Sequence, residues 1–405
     1  MSLSHVKTLE EQSLLQTYRR YDLLVDRGSG AYLFDKSNKR YLDLLAGIGV
    51  NALGYSHPRM IRVLRKQIKR PLHISNLLYH EYQGRLGDQL KRLSGLDRVF
   101  FSNSGTEAIE GCLKLARAHA NAREGITGTN RVLAIEGSFH GRSLGALSAT
   151  HSLRYRGPFQ PLLTGFEFVK FNDTEDLERQ FSDDVCAVVL EAIQGEAGIR
   201  PISEQFYHRA RTLTRETGAV LICDEVQCGL GRAGRWLAVH KFANPEARDT
   251  LPDLVSLAKP LGGGLPLGAI LMKEEITAAI EPGLHGSTFG GGPLACRLSL
   301  EMLKIFEDEH ILEHVREVGG YFRQRLEELS DLPVVDEVRG EGLMLAVQLT
   351  VPAKELVKQL LDAGFITNAT NETVLRLLPP LIIQRKQIDK FIKALRPLLE
   401  GMQPS

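Results

Sequence analysis

Six short apolar runs punctuate the middle of the chain: RVFF (98–101), RVLAIE (131–136), AVVLEAI (187–193), AVLICDE (219–225), LVSLA (254–258) and GAILM (268–272). Each is near-continuous and rich in Val, Ile and Leu, the pattern of strands covered on both faces in a mostly parallel sheet. Helical spacing fills the intervals at TEAIEGCLKLARAHA (106–120) and at QFYHRARTLTRETG (205–218), where Gly218 supplies a stop. Strand and helix alternate, so the fold class is α/β, with the ligand crevice expected at the carboxyl ends of the strands.

The two ends follow other periods. Residues 28–45 alternate around a Ser-Asn turn and predict a hairpin. After residue 293 a long helix is expected, with Ile311, Val315, Val318, Phe322 and Leu326 on one apolar stripe. VRGEGLMLAVQL (338–349) reads as one strand, PAKELVKQLLDAG (352–364) as a capped helix and TVLRLLPPL (373–381) as a further strand. The expected organisation is a large domain over 60–292 and a smaller α+β domain built from both termini, residues 1–59 and 293–405.

Composition narrows the function classes. The 405 residues are 43% hydrophobic and 24% charged, values of an ordinary globular chain. Fifty Lys and Arg against 49 Asp and Glu leave a net charge of +1, so no global field marks a binder of nucleic acid or membrane. RMIRVLRKQIKR (59–70) carries six basic residues, but Met60, Leu64 and Ile68 recur as a buried face, and a solvated basic face is the expectation. Five scattered cysteines form neither a disulfide framework nor a paired CxxC metal spacing, which points to a reducing cytoplasm and no structural zinc. The N-terminus lacks the apolar core of a secretory signal, and the apolar stretches fall far short of the ~18 residues of a membrane span.

Four features carry chemistry, each following a strand. FFSNSGTEA (100–108) runs into a helix start, where free N–H groups and Gly105 and Thr106 suit an anion; a simple N-cap would leave the same trace. It matches neither the Rossmann nor the P-loop glycine pattern. FHGR (139–142) sets Phe139 to stack on a planar ring and Arg142 to fork onto a carboxylate, whereas His140 alone fits a turn or core hydrogen-bonding residue better than a catalyst. Asp224 and Glu225 end a buried strand, where they need a cation, either a salt-bridge partner or a cofactor's ring nitrogen. Lys259 ends another apolar run before three glycines, a setting for a snorkelling lysine or for a Schiff-base amine. Taken together, the anion cradle, stacking ring, acid and amine are the requirements of pyridoxal 5′-phosphate.

With these residues in view, the chain resembles the class III, or ω-, aminotransferases of fold type I. The resemblance spans nearly the whole chain through the stretch 27–58, FFSNSGTEA, FHGR, EAIQGEAG (191–198), ICDEVQCGLGRAG (222–234), AKPLGGGLPLGA (258–269) and GSTFGGGPLAC (286–296). It implies a fold type I transferase with a mostly parallel seven-stranded sheet and a homodimer with shared active sites. It also implies that Lys259 bonds the cofactor aldehyde and then shuttles the substrate proton, while Asp224 holds the ring-nitrogen proton. Gln227 would contact the phenolic oxygen and Phe139 would stack on the ring. Glu225 and Val226 would flank the cofactor; Gly105, Thr106 and, across the dimer, Thr288 would bind its phosphate. For substrate it implies Arg142 as carboxylate clamp, Ser287 from across the dimer, a Glu196–Arg376 switch pair and Tyr18 at the pocket mouth. The branch acting on N2-acetyl-L-ornithine, with 2-oxoglutarate as acceptor, is the implied activity. Succinylornithine, ornithine, 4-aminobutyrate or a carrier-bound lysine precursor are the neighbouring amines, and mutases and decarboxylases share the lysine and acid. The chain departs from the family pattern at Ala192, Ala197, Cys228, Ala233, Pro260 and Gly292.

Overall fold

The structure is a computed structural model that describes residues 1–123 and 130–403. After helix α1 (Leu3–Ser13), strands β1 (Val25–Ser29), β2 (Tyr32–Asp35) and β3 (Arg40–Asp43) form an antiparallel meander. The expected hairpin is its second half: Asn38, at a φ of 62°, turns the chain between β2 and β3.

Helices α2 (Pro58–Gln67) and α3 (Glu81–Ser94) lead into the main sheet. Its strands are β4 (Arg98–Ser102), β5 (Arg131–Ile135), β6 (Phe166–Val169), β7 (Val185–Glu191), β8 (Val220–Asp224), β9 (Leu254–Leu257) and β10 (Gly268–Met272). They lie in the order β4-β10-β9-β8-β7-β5-β6. β10 runs antiparallel to both its neighbours, and the others share one direction. All six expected runs enter this sheet; the seventh strand, FEFV, alternates too briefly to stand out in the sequence. Strands β7 to β10 are buried along their whole length. Helix α4 (Gly105–Asn121) packs Ala108, Ile109, Cys112 and Ala116 against the sheet, and α5 (Glu204–Thr217) ends at Gly218 in the left-handed conformation.

Two expectations at the C-terminal end need correction. The long helix is two, α6 (Pro293–Asp308) and α7 (Ile311–Glu327), because His310 adopts a φ of 49° and breaks the run. The stripe from Ile311 to Leu326 is buried as expected. The segment 338–349 is not one strand: β11 (Val335–Glu341) and β12 (Met344–Leu349) form an antiparallel hairpin, turned at Gly342 with a φ of 55°. Helix α8 (Lys354–Asp362) follows without a side-chain N-cap, then β13 (Phe365–Ile366), β14 (Asn368–Thr370), β15 (Val374–Leu377) and α9 (Arg385–Glu400). β13 pairs parallel with β3, so both ends of the chain share a four-stranded sheet, while β11, β12, β15 and β14 make another.

The α2 helix also departs from its expected pattern. Met60 is buried, but Leu64 is 39% and Ile68 70% exposed. The four-residue step drifts around a helix of 3.6 residues per turn, and the side facing the protein is completed by the buried Gln67.

Candidate active site

Strand register builds the centre of the site. Asp224, the last residue of β8, lies abreast of Glu191 on β7 and of Ser256 on β9. These three polar side chains therefore meet at the carboxyl edge of the sheet, with Lys259 three residues beyond Ser256. A cavity of about 480 Å³ opens there. Its wall includes Gly105, Thr106, Phe139, Arg142, Glu196, Asp224, Val226, Gln227 and Lys259. Nine of the sequence-expected site residues thus converge although they span positions 105–259.

Asp224 is 4% exposed and fully engaged. One oxygen, Oδ1, accepts from the Val226 N–H and the Ser256 hydroxyl, both at 3.0 Å. The other, Oδ2, accepts from His140 Nδ1 at 2.8 Å. Burial pushes the His140 imidazole down, but its hydrogen bond to Asp224, and the charges of Asp224 and Glu191, outweigh that and hold it above its ordinary range. His140 therefore faces Asp224 as a buried hydrogen-bond partner. The sequence left it a turn or core hydrogen-bonding residue without naming a partner, and only the fold shows that it faces Asp224 from 84 positions away.

Glu191 was also missed. Its carboxylate accepts from the Phe139 N–H at 3.0 Å and from the Gly195 N–H at 3.1 Å, joining the loop of the stacking ring to the loop of Glu196. Burial and the neighbouring Asp224 push the Glu191 carboxyl up to about 7, against the opposing pull of His140 and the two N–H groups.

Lys259 sits at a φ of 30°, in the left-handed region that non-glycine residues rarely hold, at a cost of about 1–3 kcal/mol. Burial lowers its ammonium below the usual lysine range, opposed by the charges of Asp224 and Glu196. Across the cavity, α4 begins. Ser104 caps it by accepting from the Glu107 N–H at 3.2 Å, and the first-turn N–H groups at Gly105 and Thr106 have no helical carbonyl to bond. Gly105 is required: a Cβ there would lie 2.8 Å from Val226. The Thr106 hydroxyl bonds Ser143 Oγ at 2.7 Å and accepts from the Arg142 N–H at 3.2 Å, which fixes the FHGR loop against the helix start.

The remaining expected residues fall less evenly. Arg376, buried on β15, pairs with Glu196 and donates from Nε to Asn368 at 3.1 Å. Burial alone would raise the Glu196 carboxyl, but the Arg376 charge and hydrogen bond hold it low. Glu225 does not reach the cavity. Strand alternation turns it to the other face, where it accepts from the Ala238 and Val239 N–H groups at 2.8 and 2.7 Å, and burial pushes its carboxyl up to about 7. Tyr18 is 74% exposed and lines no part of the cavity. Tyr21 comes nearer the switch pair instead: its hydroxyl donates to the Thr367 carbonyl at 2.7 Å, and it lies within the field of Arg376. Ser287 and Thr288 stand outside their own chain's cavity wall, with Ser287 Oγ accepting from Asn103 at 3.2 Å.

The donor set suits pyridoxal 5′-phosphate. It offers an amine for the aldehyde, a desolvated carboxylate for the ring nitrogen, a helix amino end for the phosphate, and Gln227 Oε1, a buried atom without a partner among the described residues. The family model of class III aminotransferases matches residues 16–399. The chain is 42% identical over 396 residues to the acetylornithine aminotransferase of Methanocaldococcus jannaschii, covering 98% of each protein. It superposes on the ornithine aminotransferase of Toxoplasma gondii, whose crystal structure has partial occupancy of PLP at the active site, with a TM-score of 0.92 at 29% identity, over 99% of this chain and 95% of that one. The acetylornithine aminotransferase of Elizabethkingia anophelis gives a TM-score of 0.86 at 29% identity, over 99% and 100%. The chain belongs to the class III aminotransferases, and it is a pyridoxal-phosphate-dependent transaminase of fold type I.

Proposed function

We propose that this transaminase moves the δ-amine of N2-acetyl-L-ornithine to 2-oxoglutarate, giving N-acetyl-L-glutamate 5-semialdehyde and L-glutamate. The observation that carries the reading is a cavity lined both by Glu196, which pairs with Arg376, and by Arg142, which among the described residues has no carboxylate partner. A donor bearing one carboxylate needs one free cation; an acceptor bearing two needs a second, available when Arg376 leaves Glu196. The names of the relatives at about 40% identity point to the same donor.

When bound, pyridoxal phosphate supplies an electron sink for the carbanion at the substrate carbon. The chain's own residues do the rest. Lys259 holds the cofactor and moves the proton at the reacting carbon, an assignment that its lowered basicity supports. Asp224, oriented by His140, Ser256 and the Val226 N–H, would hold the proton on the ring nitrogen. Phe139 would cover the ring, Gln227 would meet the phenolic oxygen, and the α4 amino end with Gly105 and Thr106 would take the phosphate. The partner subunit's Thr288 completes the phosphate site, and the partner subunit's Ser287 borders the substrate. A homodimer is supported by the apolar face that Leu72, Leu77, Leu78, Tyr79 and Phe289 leave exposed beside these loops. The division into a large domain over 60–292 and a small one from the two termini is supported by the β3–β13 pairing. Five free, buried cysteines suit a reducing cytoplasm, and among the described residues no helix is long and apolar enough to cross a membrane.

The test is a scan of the purified holoenzyme's visible band before and after addition of acetylornithine, then of succinylornithine, ornithine and 4-aminobutyrate, with Lys259→Ala as control. Bleaching by acetylornithine at the lowest concentration supports the assignment; no bleaching by it rejects the assignment. Carbon dioxide release without a keto acid would instead indicate a decarboxylase.

A further inference from the structure

We propose that Tyr155 is a positioning residue for the donor's carboxylate, acting through Arg142; the inference rests on the reading of Arg142 as the carboxylate clamp. The Arg142 guanidinium carbon lies 3.9 Å from the centre of the Tyr155 ring and 5.1 Å from that of Phe139. The two rings stand edge to face, at 5.9 Å and 80°, so the cation sits in an aromatic corner. Among the described residues no carboxylate pairs with Arg142. This choice of partner has a consequence. A carboxylate would fix the side chain but neutralise it and occupy its N–H fork. An aromatic face attracts the cation through the ring quadrupole and leaves the in-plane N–H donors free for a bidentate carboxylate.

The arrangement also separates support from chemistry. Arg142's backbone is held by the Thr106 hydroxyl, so only its side chain depends on the rings. Tyr155 lies on the single helical turn Leu153–Arg156 and lines a neighbouring cavity of about 630 Å³, outside the wall around Lys259. Among the described residues its hydroxyl makes no hydrogen bond, so the ring is the working part.

The experiment measures kcat/KM of the amine half-reaction on holoenzyme carrying Tyr155→Phe or Tyr155→Leu. Two donor pairs are used, acetylornithine with N-acetylputrescine and ornithine with putrescine; the second member of each lacks the carboxylate. Tyr155→Leu should lower kcat/KM for the carboxylate donors about two- to tenfold, through KM and not kcat, and leave the carboxylate-free donors unchanged. Tyr155→Phe should stay within about twofold of the parent on every donor, since the quadrupole is kept. Equal losses on both members of a pair would overturn the proposal, as would a silent Tyr155→Leu or a Tyr155→Phe as impaired as the leucine variant. If the parent enzyme ignores acetylornithine but accepts ornithine, the donor assignment has failed, and the second pair still decides the role of Tyr155.

Discussion

Replacing Asp224 with asparagine removes one charge and little else. The Asn carbonyl can take the place of Oδ1, still accepting from the Val226 N–H and Ser256 hydroxyl at 3.0 Å. Its amide nitrogen then faces His140 Nδ1, 2.8 Å from the replaced Oδ2, and needs that nitrogen as an acceptor. A neutral imidazole in its other tautomer provides one, and burial already favours the neutral form once the carboxylate is gone. The fold should therefore survive, and apo-protein melting should match the parent. What is lost is a charge-assisted hydrogen bond to the cofactor's ring nitrogen, worth about 1.5–3 kcal/mol. At about 1.4 kcal/mol per decade this is a loss of about 10- to 150-fold in the rate of the amine half-reaction. Stopped-flow decay of the visible band measures it directly. A variant within about threefold of the parent, with the cofactor bound, would refute the assignment of the ring-nitrogen proton to Asp224.

Two further outcomes are expected. In Glu196→Gln, Arg376 loses its charged partner, so KM for 2-oxoglutarate should fall by about three- to tenfold while the donor half-reaction slows; a rise in both KM values would indicate a static bridge. In cofactor-free protein, the lowered basicity of Lys259 means that its amine becomes neutral below the pH at which an ordinary lysine does. The rate of recombination with pyridoxal phosphate should rise with pH and level off below about 10.5, and Asp224→Asn should move that midpoint lower still, because the carboxylate favours the ammonium. A midpoint at or above the free-lysine value would contradict the burial argument.

How far the site was legible depended on the distance over which a signal acts. Lys259 and Asp224 stood out because each closes a run of apolar residues, and a charge at the end of a buried strand needs a reason. Glu225 carried the same signal and was misread. Two adjacent residues of a strand face opposite ways, and the composition does not say which one meets the cavity. Tyr18 and Tyr21 present a similar ambiguity in a segment without regular periodicity. His140 looked unremarkable within its own loop, and Glu191 within its own strand; each acquires its role from a residue far along the chain. The break at His310 and the turn at Gly342 were missed because apolar spacing continues across both, while a single positive φ reverses the direction.

The sequence by itself settled the α/β class, the two-faced burial of the central strands, and the chemical inventory of amine, acid, aromatic ring and helix start. These follow from local periodicity and from the cost of burying charge. Only the tertiary structure decided that Glu191, Asp224 and Ser256 lie in one row, that His140 hydrogen-bonds Asp224, and that Arg142 rests on a tyrosine 13 residues away. Those facts come from strand order and register, which long-range pairing sets and no single stretch of chain contains.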